Sequence, residues 1–318
     1  MKMIEFKIKA NDANQRLDKF LMKTMPDLPK SFMYKAIRNK KIKVNRKRCE
    51  INTRLNEGDI VLCFIPPQYY ESKADYEFLH VPKTLDVIYE DSNAIIVNKE
   101  SGLLAHKDQK GIQDNLQDRL LHYLYDTKSY DPNSELSFTP AIAHRLDRNT
   151  SGLVIASKTS AFARFISEKI ANHEVKKYYL CIIEGKLPKN SDHVELYHLK
   201  DEASNTSKLY DHYIDGSKKV AMNYQVLKQN KYYSLVEVEL ISGKSHQIRT
   251  MMAYYKCPIY GDVKYGAKVN KQKDFQALCA YKIVFSFHSD EYFKNTKEII
   301  LKDNEIEQLF NELSHKLL

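Results

Sequence analysis

Long uninterrupted apolar runs are missing from this 318-residue sequence, and none approaches the roughly 20 residues that a membrane-spanning helix needs. The opening stretch MKMIEFKIKAND alternates charged with apolar residues and lacks the apolar core of a secretory signal. Cysteine is sparse. The five (Cys49, Cys63, Cys181, Cys257 and Cys279) are scattered, odd in number and include no CxxC pair. That argues against a disulfide framework or a cysteine zinc site and fits a reducing cytoplasm. A convincing nucleotide-binding fingerprint, a metal-ligand cluster, an internal repeat and a low-complexity tract are also missing. The expectation is therefore no cofactor, no metal, no membrane and no obligate protein partner.

What the sequence does contain is a globular balance, 43% hydrophobic and 29% charged, at a length that suits two domains. The formal net charge of +9 is unevenly placed. Residues 1–66 hold 16 Lys and Arg against 7 Asp and Glu, whereas the other 252 residues hold 34 of each sign. The whole basic excess sits in the N-terminal fifth. A small basic module on a neutral body reads as a polyanion-binding unit delivering substrate to a larger one.

Periodicity divides the chain into a basic domain over 13–66, a linker over 67–81 that begins at paired prolines, and a second domain over 82–318. In the first, Asn14 can cap a helix with Leu17, Phe20 and Leu21 on one side. Ser31 can cap a second with Phe32, Met33, Ala36 and Ile37. KKIKVN then alternates as a half-buried strand, and Gly58-Asp59 turns into the strand IVLCFI. Arg38, Lys41, Lys43, Arg46 and Lys47 gather at one end, where they can neutralise RNA phosphates without reading sequence. In the second domain, strands are expected at 94–98, 152–157, 178–185, 219–227, 233–241 and 282–287. Helices are expected at 114–125, 160–171 and 246–256. This is an α+β body with a mixed, largely antiparallel sheet and flanking helices.

Two polar segments stand out. AHRLDRNTSGLVIASK (143–158) places Arg145, Asp147 and Arg148 in one loop just before a buried strand. From local chemistry alone, Asp147 reads as a turn-bracing carboxylate ahead of a reactive one, and His144 reads as a loop brace. ISGKSHQIRTMMAYYKCPIYGDVKYG (241–266) leads into a helix with His246, Gln247 and Arg249 in its first turn, preceded by Lys244. A helix N-terminus attracts anions, and an arginine there can hold a carboxylate or a phosphate.

The order QRLDKFL, SFMYKAIRNKKIKVN, LNEGDIV resembles the small RNA-binding domain first described in ribosomal small-subunit protein four. HRLDRNTSGLVIASK, DSNAIIVNKESGLLAH, VKKYYLCIIEG and SGKSHQIR with PIYGDVKYG together resemble the motifs of the RluA family of RNA pseudouridine synthases. The resemblance spans roughly residues 90–267. It implies an isomerase that turns uridine into its C-glycoside, in large-subunit ribosomal RNA first and tRNA second. It also implies Asp147 as the catalytic carboxylate, Arg249 as its charged partner and Tyr179 as the ring that stacks on the base. Arg145, Arg148, Lys244, His246 and Gln247 are expected to contact the RNA. Glu100, Lys244 and Cys181 depart from the family pattern, where proline, arginine and alanine are usual. A non-catalytic RNA-binding factor on the same fold is the alternative, and a carboxylate-dependent hydrolase a weaker one.

Overall fold

Ile42 and Val44 point inward on either side of half-exposed Lys43, as the alternation in KKIKVN requires. In this computed structural model, which describes residues 2–70, 76–108, 114–201, 206–268, 275–302 and 304–315, that strand belongs to a four-stranded antiparallel sheet. Its members are β1 (Lys2–Lys7), β2 (Ile42–Val44), β3 (Lys47–Arg48) and β4 (Ile60–Ile65), in the order β1-β4-β2-β3. Helices α1 (Leu17–Thr24) and α2 (Lys30–Arg38) bury Leu17, Phe20, Leu21, Met33 and Ile37 against it. The small sheet takes in residues before position 13, because β1 pairs along its whole length with β4. Alternation of charge and apolarity in KMIEFK was a strand signal as well as evidence against a signal peptide.

The expected helix caps are corrected. Asn14 adopts a left-handed backbone (φ 61°), its N–H donates to the Leu55 carbonyl at 2.8 Å, and α1 starts only at Leu17. Helix α2 starts at Lys30, one residue before Ser31 could cap it, with Pro29 in the cap position. Pro29 has no N–H to satisfy and its carbonyl accepts from Met33.

The body follows. Of the expected linker, residues 71–75 lie outside the described residues, and Phe78 and Val81 are buried. Strands β5 (Val87–Glu90) and β6 (Ala94–Lys99) form a hairpin. Helix α3 (Leu116–Asp126), capped by the Asn115 side chain, precedes β7 (Ala141–Ile142) and β8 (Ser151–Ser157). Helix α4 (Ser160–Ala171) opens at the Thr159 cap and leads to β9 (Val175–Glu184), β10 (Ser191–Asp201), β11 (Thr206–Tyr210), β12 (Lys218–Gln229) and β13 (Tyr233–Leu240). Helix α5 (Gln247–Tyr254), β14 (Leu278–Phe285), β15 (Glu298–Ile300) and α6 (Glu305–His315) complete the described elements. The large sheet runs β11-β10-β12-β13-β9-β14-β8-β6-β5, with β15 on β14 and β7 on β8. Among the described pairs only β8 with β14 is parallel, so the sheet is mixed and largely antiparallel.

Register sets up the site. Lys99, Gly152, Ala280, Tyr179 and Val238 lie in one row across five adjacent strands. Gly152 has φ 117°, and a Cβ there would sit 2.3 Å from the Ala280 carbonyl oxygen. Only glycine lets β8 approach β14 this closely, and the loop that carries Asp147 ends on that glycine's doorstep.

Candidate active site

Three elements converge on a cleft of about 560 Å³: the 143–150 loop, the start of β9, and the turn from β13 into α5. Asp147 comes from the first, Tyr179 from the second and Arg249 from the third. The loop is tied down from below. Lys99, fully buried, donates to the carbonyls of Glu100 (2.8 Å), Leu103 (2.8 Å) and Arg148 (2.9 Å). These three acceptors use all its protons, and burial lowers its pKa to about 8 while Asp147 pulls the other way. The Gly102 N–H donates to the Arg148 carbonyl at 2.9 Å, and Arg148 Nε donates back to the Gly102 carbonyl at 3.0 Å. Arg148 therefore braces the loop with its side chain.

Asp147, a quarter exposed, lies within ion-pair range of two groups. Arg249 Nη1 stands 3.7 Å from Asp147 Oδ2, and His246 Nε2 stands 3.9 Å from the same oxygen. The tight partner of Arg249 is a different acid. Its Nε and Nη2 donate to Asp262 Oδ2 and Oδ1 at 2.7 and 2.8 Å, a bidentate pair with both side chains buried. Burial alone would lower the guanidinium pKa, but Asp262 and then Asp147 more than offset it, so the cation is fixed. Tyr265 lies under this guanidinium, its ring centre 4.9 Å away, and its hydroxyl is 2.7 Å from His246 Nδ1. Burial, helped by Arg249 and Lys264, brings His246 down to about 4 against the pull of Asp147. It is a neutral ring at physiological pH.

Asp262 and Tyr265 were missed as site residues. Both stand in the motif PIYGDVKYG, so the signal was present, but nothing in the string says that its aspartate turns back onto Arg249. Helix α5 also starts one residue later than the expected 246, because His246 takes a left-handed backbone (φ 57°) that the helix cannot include.

The other expected contacts distribute as follows. Tyr179 is buried at the cleft wall, and burial first, then the charge of Asp147, raises its phenol well above the ordinary value. It stays protonated. Arg145 and Lys244 are exposed at the rim. Gln247 is turned inward instead: it is 2% exposed, donates to the Ala221 carbonyl, and accepts from Ser242 Oγ and the Lys244 N–H. It shapes the turn and has little surface left for RNA. His144 accepts the Ile155 N–H at 3.2 Å, and burial beside Lys177 depresses it to about 3, consistent with a brace. In the small domain Arg38, Arg46 and Lys47 are exposed, and Lys41 and Lys43 half-buried. Asn45 and Arg46 both take left-handed backbones (φ 51° and 62°), the geometry of a tight hairpin turn that thrusts Arg46 outward. Of the departures, Glu100 sends its carboxylate to Arg119 at 2.8 Å, and Cys181 is simply buried in β9. Among the described residues no cluster of ligands could hold a metal ion, and no helix is long and apolar enough to cross a membrane.

Comparison with known proteins follows the same division. The profile of the family described as RNA pseudouridylate synthase matches residues 93–254, and that of the S4 domain matches residues 15–61. An uncharacterized RNA pseudouridine synthase of Mycoplasma genitalium is 33% identical over 294 residues, covering 88% of each chain. Ribosomal large subunit pseudouridine synthase C of Vibrio parahaemolyticus is 28% identical, over 80% of this chain and 77% of its own. The solved structure of human RNA pseudouridylate synthase domain containing 4 superposes with a TM-score of 0.56 at 19% identity, covering 73% of this chain and 92% of that one. Fold and sequence thus define an RNA-modifying isomerase with a small RNA-binding module at its N-terminal end. The chain belongs to the RluA family of RNA pseudouridine synthases, and its module is an S4 domain.

Proposed function

We propose that this enzyme isomerises specific uridines of structured large-subunit ribosomal RNA, with Asp147 as the carboxylate that acts on the nucleotide. The observation that carries this reading is the approach of Asp147 to Arg249 (3.7 Å) at a cleft walled by Tyr179. In the reaction the N1–C1′ bond breaks, the base turns, and a C5–C1′ bond forms. The C5 proton leaves and N1 ends protonated, so atoms balance without an oxidant or a group donor. A uridine within a helix hides these atoms and must be swung out, at a cost of a few kcal/mol. Contacts made far from the reacting base can supply that energy.

Asp147 in its charged form can attack the sugar or the base, or take a proton from the ribose. Arg249, immobilised by Asp262, gives the carboxylate a fixed cation to orient against. Tyr179 offers an uncharged ring for the swung-out pyrimidine. Arg145, Lys244 and the neutral His246 line the approach, and Arg148 holds the loop. The S4 module, through Arg38, Lys41, Lys43, Arg46 and Lys47, grips phosphates, so residues up to 66 bind while 82–318 react. The name of the Vibrio relative favours large-subunit ribosomal RNA, with tRNA as the second candidate.

Tritium release tests this directly. With RNA carrying tritium at uridine C5, wild-type protein releases label stoichiometrically with pseudouridine. Asp147→Asn, close to the same size, should slow release by at least about 100-fold while RNA binding persists. An Asp147→Asn protein as fast as wild type would remove Asp147 from the chemistry. Mapping pseudouridine in ribosomal RNA and tRNA of deletion and parent strains then identifies the target.

A further inference from the structure

The S4 module does not hang from the body by its linker alone. A short turn before α1, Ala10–Asp12, plugs into the body between the 134–137 segment and the start of α4. Asp12, fully buried, accepts from the Ser137 N–H (2.9 Å) and hydroxyl (2.7 Å) through Oδ1. Asn11 Oδ1 accepts the Ser160 N–H at 3.1 Å, one of the donors that a helix start leaves over, so one domain caps a helix of the other. Gln15 Nε2 donates to Ser137 Oγ at 2.6 Å, Thr24 Oγ1 to the Leu136 carbonyl at 3.2 Å, and Lys9 Nζ to the Ser134 carbonyl at 2.6 Å. Leu136 itself packs against the small domain's core. A tethered module that touched the body by chance would not bury a carboxylate at the join with two donors from one residue, the Ser137 N–H and hydroxyl, aimed at a single oxygen.

We infer that this latch, centred on Asp12 and Ser137, holds the S4 module in one orientation and thereby sets which RNA shapes can reach phosphate grip and cleft together. These are positioning residues for RNA selection, remote from the reacting atoms. The inference rests on the reading of the body as the catalytic unit and of the module as an RNA grip. Freezing the orientation in advance spares the complex the entropy of ordering it, so the latch acts on RNA binding and leaves the chemical step alone. Asp12 Oδ2 has no donor among the described residues, so Asp12→Asn keeps the accepting oxygen and should keep the latch shut.

Two measurements on the full-length protein decide it. The five native cysteines are buried, so spin labels can be placed at Glu57→Cys and at the exposed Tyr213→Cys. Wild type and Asp12→Asn should give one narrow distance; Asp12→Ala with Ser137→Ala should give a broad one. Tritium release is then followed on 5-tritiated total RNA from cells lacking the enzyme, which contains the target whatever its class. The double variant should raise the half-saturating RNA concentration about fivefold or more. Its maximal rate should stay within about twofold. A broad distribution in wild type, an unchanged one in the double variant, or a loss confined to maximal rate would overturn the latch. Should the double variant fail to fold, Asn11→Ala carries the same expectations in smaller degree. Absence of any wild-type release would refute the enzymatic reading alone, because the distance measurement judges the latch without it.

Discussion

Arg249 is gripped from behind by Asp262 at 2.7 and 2.8 Å and meets Asp147 only at 3.7 Å. The buried acid therefore decides where the guanidinium points, and the more exposed acid receives the result. Breaking a buried pair strands a charge, which typically costs about 3–5 kcal/mol. Asp262→Asn keeps one accepting oxygen, so a smaller loss of about 1–3 kcal/mol is expected, read from the urea midpoint. If Asp147 is the acting carboxylate proposed above, turnover should fall about tenfold with RNA affinity unchanged, since the group lost holds the guanidinium beside it. Equal turnover in the variant would show that Arg249 needs no such hold.

Acid sensitivity follows from two histidines. His246 and His144 are held near 4 and 3, below the 6.5 of an ordinary imidazole. Between these values and 6.5 the unfolded chain binds more protons than the folded one, so stability rises with pH and is lost as pH falls through the window. Each ring contributes up to about 1.4 kcal/mol per pH unit there. His246→Gln should remove its share of the slope between pH 6.5 and 4, visible in unfolding free energies measured at half-unit steps. Lys99 works at the other end. Its value of about 8 lies below the lysine norm, so its burial penalty is relieved as pH rises from 8 toward 10.5. Carboxylates titrating in the acid range add to the total, which is why the comparison is between variant and wild type.

Gly152 makes a sharper structural claim. A methyl group there would lie 2.3 Å from the Ala280 carbonyl oxygen and 2.6 Å from its nitrogen, on a backbone with φ 117°. Both strands are buried and neither can retreat cheaply. Gly152→Ala should destabilise the body by at least about 3 kcal/mol. The loop bearing Asp147 should shift with it, so residual folded protein should be poorly active. Wild-type stability with wild-type tritium release would show that β8 and β14 are looser than this register implies.

How far the sequence could be read depended on how local each signal was. Helix α4 and strands β6 and β13 were legible within a residue or two because a single apolar face dictates them. Strands β10 and β11 were not expected: in β10, Val194 and Leu196 do alternate with exposed His193 and Glu195, but Tyr197 and Leu199 on the outer face and a buried His198 blur the pattern, and the strand is stabilised by pairing with β12. The C-terminal helix α6 also escaped, although Ile306, Phe310 and Leu313 are buried at helical spacing. Motifs put Asp147, Tyr179 and Arg249 forward as candidates that the fold brings to one cleft, but the row from Lys99 through Gly152 and Ala280 to Tyr179 arises only when β6, β8, β14 and β9 align. Asp262 belongs to the same category, thirteen residues beyond Arg249 and across a helix.

The basic edge of the S4 module gives a prediction that turns on salt rather than on rate. Arg46 is forced outward by its left-handed turn and Lys47 follows it on the edge strand, both exposed. Each phosphate they neutralise releases counterion, so the logarithm of RNA affinity falls with the logarithm of salt by about 0.7–0.9 per contact. Arg46→Ala with Lys47→Ala should weaken binding at low salt and flatten that slope by about 1.5. Filter binding of one RNA across a salt series measures both. Turnover at saturating RNA should be unchanged, because neither side chain lines the cleft. A pair of alanines that lowered affinity without altering the slope would mean that these cations act on the fold of the turn, and that the phosphates are gripped elsewhere.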